Sequence, residues 1–199
     1  MWEAAERGLP VRVYRPGNIS GHSATGASNP RDFLGALIAG SLRAGAAPEI
    51  EGWRMEMTPV DFVARTVCQL AGEPGAPGRV FHLANPDPVP ASEVFSWLAE
   101  LGYDIECLPY PEWLETRREV SQHDDDVVVG VLGGAAAGEH EIRDANTYDD
   151  RNTRRALAGS GIERPAIDAA LLGRYARCFA EQGWTRTPPA LSGGRRTPA

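Results

Sequence analysis

Not one lysine occurs in the 199 residues, so all 20 basic side chains are arginine. Arginine stays protonated, and amine catalysis through a Schiff base or a depressed ammonium pKa is therefore excluded for these residues. Cysteine is nearly as scarce. Cys68, Cys107 and Cys178 are odd in number, widely separated and outside any Cys-x-x-Cys pair, which argues against a disulfide framework or a zinc site and fits a reducing compartment. No apolar run approaches the ~20 residues that cross a bilayer, and no charged-then-apolar leader opens the chain. These absences predict a soluble, cytoplasmic protein with no membrane partner. Basic clusters are missing too: the net charge is −7 and no arginine stripe follows a helix, which argues against nucleic acid as a partner.

What is present is enough apolar material, 42% of the residues, for one core of ordinary size or one core with a small appended lobe. The opening "MWEAAERG" reads as the last turns of a helix closed by Gly8. It is followed by a β-branched run through Val11, Val13 and Tyr14 that stops at Pro16. After a Gly/Ser-rich loop, "NPRDFLGALIAGSL" predicts an amphipathic helix with Asn29 as N-cap and Pro30 in its first turn. Phe33, Leu34, Leu37, Ile38 and Leu42 share its apolar face. Alternation of Trp53, Met55 and Met57 predicts a short strand, and Thr58-Pro59 opens a helix carrying Val60, Val63, Ala64, Val67 and Leu70. "GRVFHLAN" is a buried strand, "SEVFSWLAELG" a helix capped by Ser92 and stopped by Gly102, and "YDIECLPY" a third strand. Strand and helix alternate as in α/β proteins.

From about Pro111 the pattern turns helical: "EWLETRREV", "DDDVVVGVLGGAAAG", "RNTRRALAGSG" and "DAALLGRYARCFAEQGW". The last places Leu171, Leu172, Tyr175, Cys178 and Phe179 on one stripe. The division predicted is residues 1–110 as a partial Rossmann-like segment interleaved with lobe elements, 111–184 as a helical substrate-binding lobe, and 185–199 as a disordered tail.

Taken singly, the chemistry-bearing residues have plain structural readings. The glycines at 130, 133, 134 and 138 do not match G-x-G-x-x-G and read as a small-residue helix or loop. Asp61 sits at a helix start, where its carboxylate meets unpaired amides. His22 and His82 lack the spacing of a triad or a metal site, and Asp124, Asp125 and Asp126 read as a solvated or capping cluster.

Five blocks taken together resemble the thioester reductase family, the terminal reductases of nonribosomal peptide and polyketide synthases and of carboxylic acid reductases. They are "GLPVRVYRPGNISG", "NPRDFLGALIAG", "MTPVDFVARTV", "VFHLANPDPVPASEVFSWLAELGYDIECLPYPEW" and "RNTRRALAGSGIERPAIDAALLGRYARCFAEQGW". The resemblance implies an α/β fold: an incomplete, parallel Rossmann-like sheet of the extended short-chain dehydrogenase type with a mostly helical C-terminal substrate lobe. It implies NADPH as cofactor and, as partner, a carrier protein presenting an acyl or peptidyl chain as a phosphopantetheine thioester.

The same resemblance implies that Arg15, Pro16, Gly17, Asn18 and Ile19 pass beside the nicotinamide; the plain reading of these residues is a strand stopped by Pro and a Gly turn. It also implies that Ser20, Gly21, His22 and Thr25, with the loop of residues 23–28, line the acyl-pantetheine channel. His22 departs from the pattern, because relatives often carry an acidic residue there. In the family the Gly-rich phosphate turn and a Tyr-x-x-x-Lys pair precede the helix end that "MWEAAERGLPV" resembles. With no lysine here, redox turnover by this polypeptide alone is not expected, and a truncated chain that binds an N-terminal reductase portion or self-associates is. Two other functions are compatible: a non-catalytic module that binds the carrier protein or its acyl chain, and a redox-independent reductase-like cyclase.

Overall fold

The computed structural model describes residues 2–29, 32–72, 79–120 and 148–186. In chain order the elements are α1 (Trp2–Glu6), β1 (Arg12–Arg15), β2 (Ile19–Ser20), α2 (Phe33–Ala44), β3 (Ala46–Glu49), β4 (Arg54–Met55), β5 (Thr58–Pro59), α3 (Val60–Gly72), β6 (Arg79–His82), β7 (Val89–Pro90), α4 (Ala91–Glu100), β8 (Glu106–Pro109), α5 (Tyr110–Val120), α6 (Arg151–Leu157) and α7 (Ala169–Glu181).

The architecture is mixed α/β, with mostly parallel strand pairing. The described strands form four two-stranded ladders: β1 with β6, β2 with β5 and β3 with β8 are parallel, and β4 with β7 is antiparallel. In the first, Tyr14 lies opposite Phe81 and their rings stack at 5.9 Å. The Arg15 carbonyl accepts from the Leu83 amide at 2.9 Å, so Val13 and Arg15 turn their backbone groups toward β6, and Arg12 and Tyr14 turn theirs to the other edge. The far edge of β6 is closed by α6: Asn152 Nδ2 donates to the Val80 carbonyl at 3.0 Å and Thr153 Oγ1 to that of His82 at 2.7 Å.

Two hydrophobic clusters result. The smaller joins Leu70, Phe81 and Leu83 with Tyr14, Val63, Val67, Ala156 and Leu157, so α3 and α6 pack on the β1–β6 ladder. The larger gathers α2, α4, α5 and α7 around Leu37, Ile38, Met55, Phe95, Trp113 and Tyr175. Arg117 of α5 is buried in it, 2% exposed, donating to the Ala36 carbonyl at 2.9 Å and lying against Gly40 of α2, where a Cβ would overlap the guanidinium. Arg164, stacked 4.8 Å over Phe62, donates to the Leu83 and Ala84 carbonyls and pairs with Asp150 at 3.1 Å. The segment after α6 is thereby tied to the end of β6. Among the described residues no helix is long and apolar enough to cross a membrane.

Most expected elements are present, with corrections at their ends. The α2 cap is Asp32, whose extended backbone and Oδ1, accepting from the Gly35 amide at 2.6 Å, start the helix after Asn29. Thr58 and Pro59 pair with β2 instead of opening α3, and Val60 faces outward, 39% exposed. Pro90, without a side-chain cap bond, precedes α4 in place of Ser92, and β3 went unread because Ala46, Ala47 and Pro48 carry little strand propensity. The Gly-rich stretch of residues 130–138, Asp124, Asp125 and Asp126, and most of the expected tail lie outside the described residues.

Gly40→Ala is expected to displace Arg117 and destabilise the fold by about 1–3 kcal/mol, as overpacking does. Gly72→Ala, where nothing lies within 4 Å of the added Cβ, should be neutral or slightly stabilising. Denaturant unfolding of the two variants checks this, and equal stabilities would count against the packing described.

Candidate functional site

The turn after β1 is built around one buried carboxylate. Glu56, 7% exposed, accepts the Asn18 amide on Oε2, and on Oε1 the Thr58 hydroxyl at 2.6 Å and the Asn85 amide at 2.7 Å. The Thr58 amide in turn donates to the Asn18 carbonyl at 3.0 Å. Three donors on one ionised group are charge-assisted bonds, and they bring together the segments that follow β1 and β6 and the start of β5. Gly17 is required here, because a Cβ would overlap the Glu56 carboxylate. With both backbone groups of Asn18 engaged, its side chain is left at the surface. Arg15, Pro16, Asn18 and Ile19 are exposed and Gly17 is half-buried, at the carboxyl end of a parallel ladder, where α/β folds place their ligands.

The next loop is closed on itself and then pinned from two sides. The His22 amide donates to the Ala27 carbonyl at 2.8 Å and the Gly26 amide to that of His22 at 2.9 Å. His22 Nδ1 accepts from the amides of Ala24 and Thr25 at 3.1 and 3.4 Å, so this ring has a structural task. From α3, Asp61 accepts the Ser23 amide at 2.7 Å and its hydroxyl at 2.8 Å and pairs with Arg65 at 3.0 Å. From α7, Arg174 Nε donates to the Ser23 carbonyl at 2.6 Å. The Tyr175 hydroxyl donates to that of Gly21 at 2.9 Å and stands 3.0 Å from Ser20 Oγ. Gly26, at φ 75°, sits against the Arg174 carbonyl with no room for a side chain.

Two protonation equilibria follow from this geometry. Burial alone would raise the Asp61 carboxyl, but the Ser23 donors outweigh it and hold Asp61 below the usual carboxylate range. Asp61 stands in the first turn of α3, as expected, with its own backbone amide among the donors to its carboxylate, and the same carboxylate also ties the loop to α3. Burial pushes the Tyr175 phenol up to about 12, with the Ser20 contact acting in the opposite sense.

Between β2, the loop and α2 lies a cavity of about 480 Å³ lined by Ile19, Ser20, Ala27, Ser28, Asn29, Asp32 and Val60. Of the residues expected at the site, Ile19 and Ser20 line it. Arg15, Pro16, Gly17 and Asn18 form the exposed turn beside it, and Gly21, His22 and Thr25 shape the loop without lining it. Glu56 went unread because the alternation of Trp53, Met55 and Met57 assigns it to the opposite, nominally solvent, face; its lone charge between two buried methionines was the available signal. Tyr175 was legible as core but not as a hydrogen-bond donor, and Asp32 was hidden by the assignment of the cap to Asn29.

Residues 1–67 match the model of an NAD-binding family described as Male sterility protein. The chain is 40% identical over 191 residues to glycine betaine reductase ATRR of Emericella nidulans, with 94% of this chain and 15% of that protein aligned. It is 35% identical over 217 residues to an isonitrile lipopeptide synthase of Streptomyces coeruleorubidus, covering 99% of this chain and 14% of that one. Among solved structures, the terminal R domain from the myxalamid PKS-NRPS biosynthetic pathway superposes with a TM-score of 0.81 at 32% identity, over 94% of this chain and 47% of that domain. The chain thus spans about one seventh of these curated relatives and about half of that solved domain.

Because the folded-state phenol of Tyr175 titrates near 12 against about 10 for a free tyrosine, its contribution to stability is complete below pH 10 and is lost as pH rises toward 12. Tyr175→Phe should cost about 1–2 kcal/mol at neutral pH through the lost hydroxyl bonds and should flatten the alkaline fall in stability. Denaturant unfolding at pH 7 and pH 11 measures both, and an unchanged alkaline loss in the variant would contradict the assignment.

Proposed function

We propose that this chain, which belongs to the thioester reductase group of the extended short-chain dehydrogenases, supplies the acyl-binding and nicotinamide-flanking part of a reductase. That reductase releases a carrier-bound acyl or peptidyl thioester as an aldehyde or alcohol in the cytoplasm. The observation that carries this reading is the cavity opening beside Ile19 and Ser20, directly after the exposed turn at the carboxyl end of β1. In this reading the smaller cluster, where α3 and α6 pack on β1 and β6, belongs to the nucleotide sheet, and the larger cluster of α2, α4, α5 and α7 serves as the substrate lobe.

The surface-exposed Asn18 amide suits the carboxamide of a nicotinamide, and Ile19 offers an apolar edge for its ring. When bound, NADPH supplies the hydride. This chain's residues hold the thioester end of the pantetheine arm at Ser20, with the apolar side chains of Ile19 and Val60 beside it. The proton donor and its lysine partner come from residues outside this sequence, which contains no lysine. The carrier protein delivers the pantetheine arm to the rim of the cavity.

The chain alone should bind acyl-pantetheine and leave NADPH unoxidised. Mixed with the family's segment that bears the Gly-rich turn and the Tyr-x-x-x-Lys pair, it should consume NADPH in the presence of an acyl-pantetheine thioester. Asn18→Ala should then lower kcat by about tenfold, equivalent to about 1.4 kcal/mol of transition-state stabilisation, at unchanged fold stability. Thioester-dependent loss of nicotinamide absorbance with the chain alone would overturn this division of labour.

A further inference from the structure

Among the described residues that line the cavity, one carries an ionisable group. Ile19, Ala27 and Val60 are apolar, Ser20, Ser28 and Asn29 are neutral, and Asp32 is a carboxylic acid at the base of α2. Its Oδ1 accepts the Gly35 amide at 2.6 Å, and the amides of Leu34 and Asn29 also face it. These are dipoles rather than a countercharge. Among the described residues, the cations that contact the loop and its anchors are engaged elsewhere: Arg65 pairs with Asp61, and Arg174 binds the Ser23 carbonyl. No ion pair to Asp32 is present among the described residues. Burial lifts the Asp32 carboxyl above its ordinary value, against the opposing effect of the three amides.

This has two consequences for an occupant. The amides at the start of α2 would otherwise attract an anion, and Asp32 already fills that position. An acyl group bearing a carboxylate therefore meets a like charge and finds no vacant donor set. An acyl group bearing an ammonium meets, beside the apolar Ile19 and Val60, a carboxylate that pairs with no cation among the described residues. The volume of about 480 Å³ accommodates the end of a pantetheine arm and a short acyl group.

We propose that Asp32 is the specificity-determining counter-ion of this cavity, selecting short acyl groups that carry a positive charge and rejecting those that carry a negative one. The inference rests on the acyl-pantetheine reading of the cavity. Its test separates the two claims.

Three pantetheine conjugates of matched length, with an amide replacing the reactive thioester, are titrated calorimetrically into the full chain: 4-aminobutanoyl (cationic), pentanoyl (neutral) and succinyl (anionic). The cationic conjugate should bind about tenfold or more tighter than the neutral one, and the anionic conjugate weakest of the three, as expected for a close pair in a partly desolvated site. Asp32→Asn preserves the helix cap, since Asn and Asp rank equally there, and removes only the charge. In that variant the cationic advantage should collapse to within about threefold, a difference of less than one factor of ten in affinity, while binding of the neutral conjugate stays constant. Equal binding of all three to the unmodified chain, or a cationic preference that survives Asp32→Asn, would overturn the counter-ion role and leave the acyl-pantetheine reading standing. Failure of all three to bind would overturn both.

Discussion

One buried carboxylate fixes the geometry on which the site depends. Glu56 lies in a short segment between β4 and β5, yet its oxygens accept from Asn18, Thr58 and Asn85, residues that follow or begin three different strands. Desolvating a charge is costly, and these donors are what makes the burial tolerable. The arrangement then becomes obligatory, because loss of any one donor leaves the charge less compensated. Gly17 belongs to the same constraint, since the Glu56 carboxylate occupies the space its side chain would need. The exposed turn bearing Asn18 and Ile19 is thereby held in place without packing of its own side chains.

The second constraint is the loop of residues 22–28, which carries little apolar material and is held by polar contacts. Asp61 grips Ser23 from α3, and Arg174 and Tyr175 grip Ser23 and Gly21 from α7. Because α3 packs with the β1–β6 ladder and α7 with the larger cluster, the loop bridges the two hydrophobic clusters. The cavity lies at that junction, walled by Ile19 and Ser20 from one side and Asp32 and Val60 from the other. Closing such a loop with a few charge-assisted bonds makes the cavity sensitive to single substitutions that leave both cores intact.

The helices were legible wherever period and burial agree. The stripes Leu34, Leu37, Ile38, Leu42 and Leu171, Leu172, Tyr175, Phe179 are buried as the 3.6-residue pattern requires. The strands β1 and β6 were legible from β-branched and aromatic content, and the five linked blocks pointed to the family. Two of the groups that escaped reading share a cause: Glu56 and the Tyr175 hydroxyl act through partners distant in sequence, and local pattern carries no information about a bond between residues 18 and 56 or 20 and 175. The start of α2 was misread for a local reason. Asn29 and Asp32 are both good caps by type, and the helix starts at the second, whose Oδ1 accepts from the Gly35 amide.

The claim that Glu56 sets the position of the site turns on the amides it accepts. Hydrogen exchange of the intact chain, compared with Glu56→Gln, measures this directly. The account predicts faster exchange at Asn18 and Asn85 in the variant, because an amide offers one acceptor oxygen in place of two, with the amides of α7 from Leu171 to Phe179 unchanged. Equal protection of Asn18 and Asn85 in both proteins would contradict it.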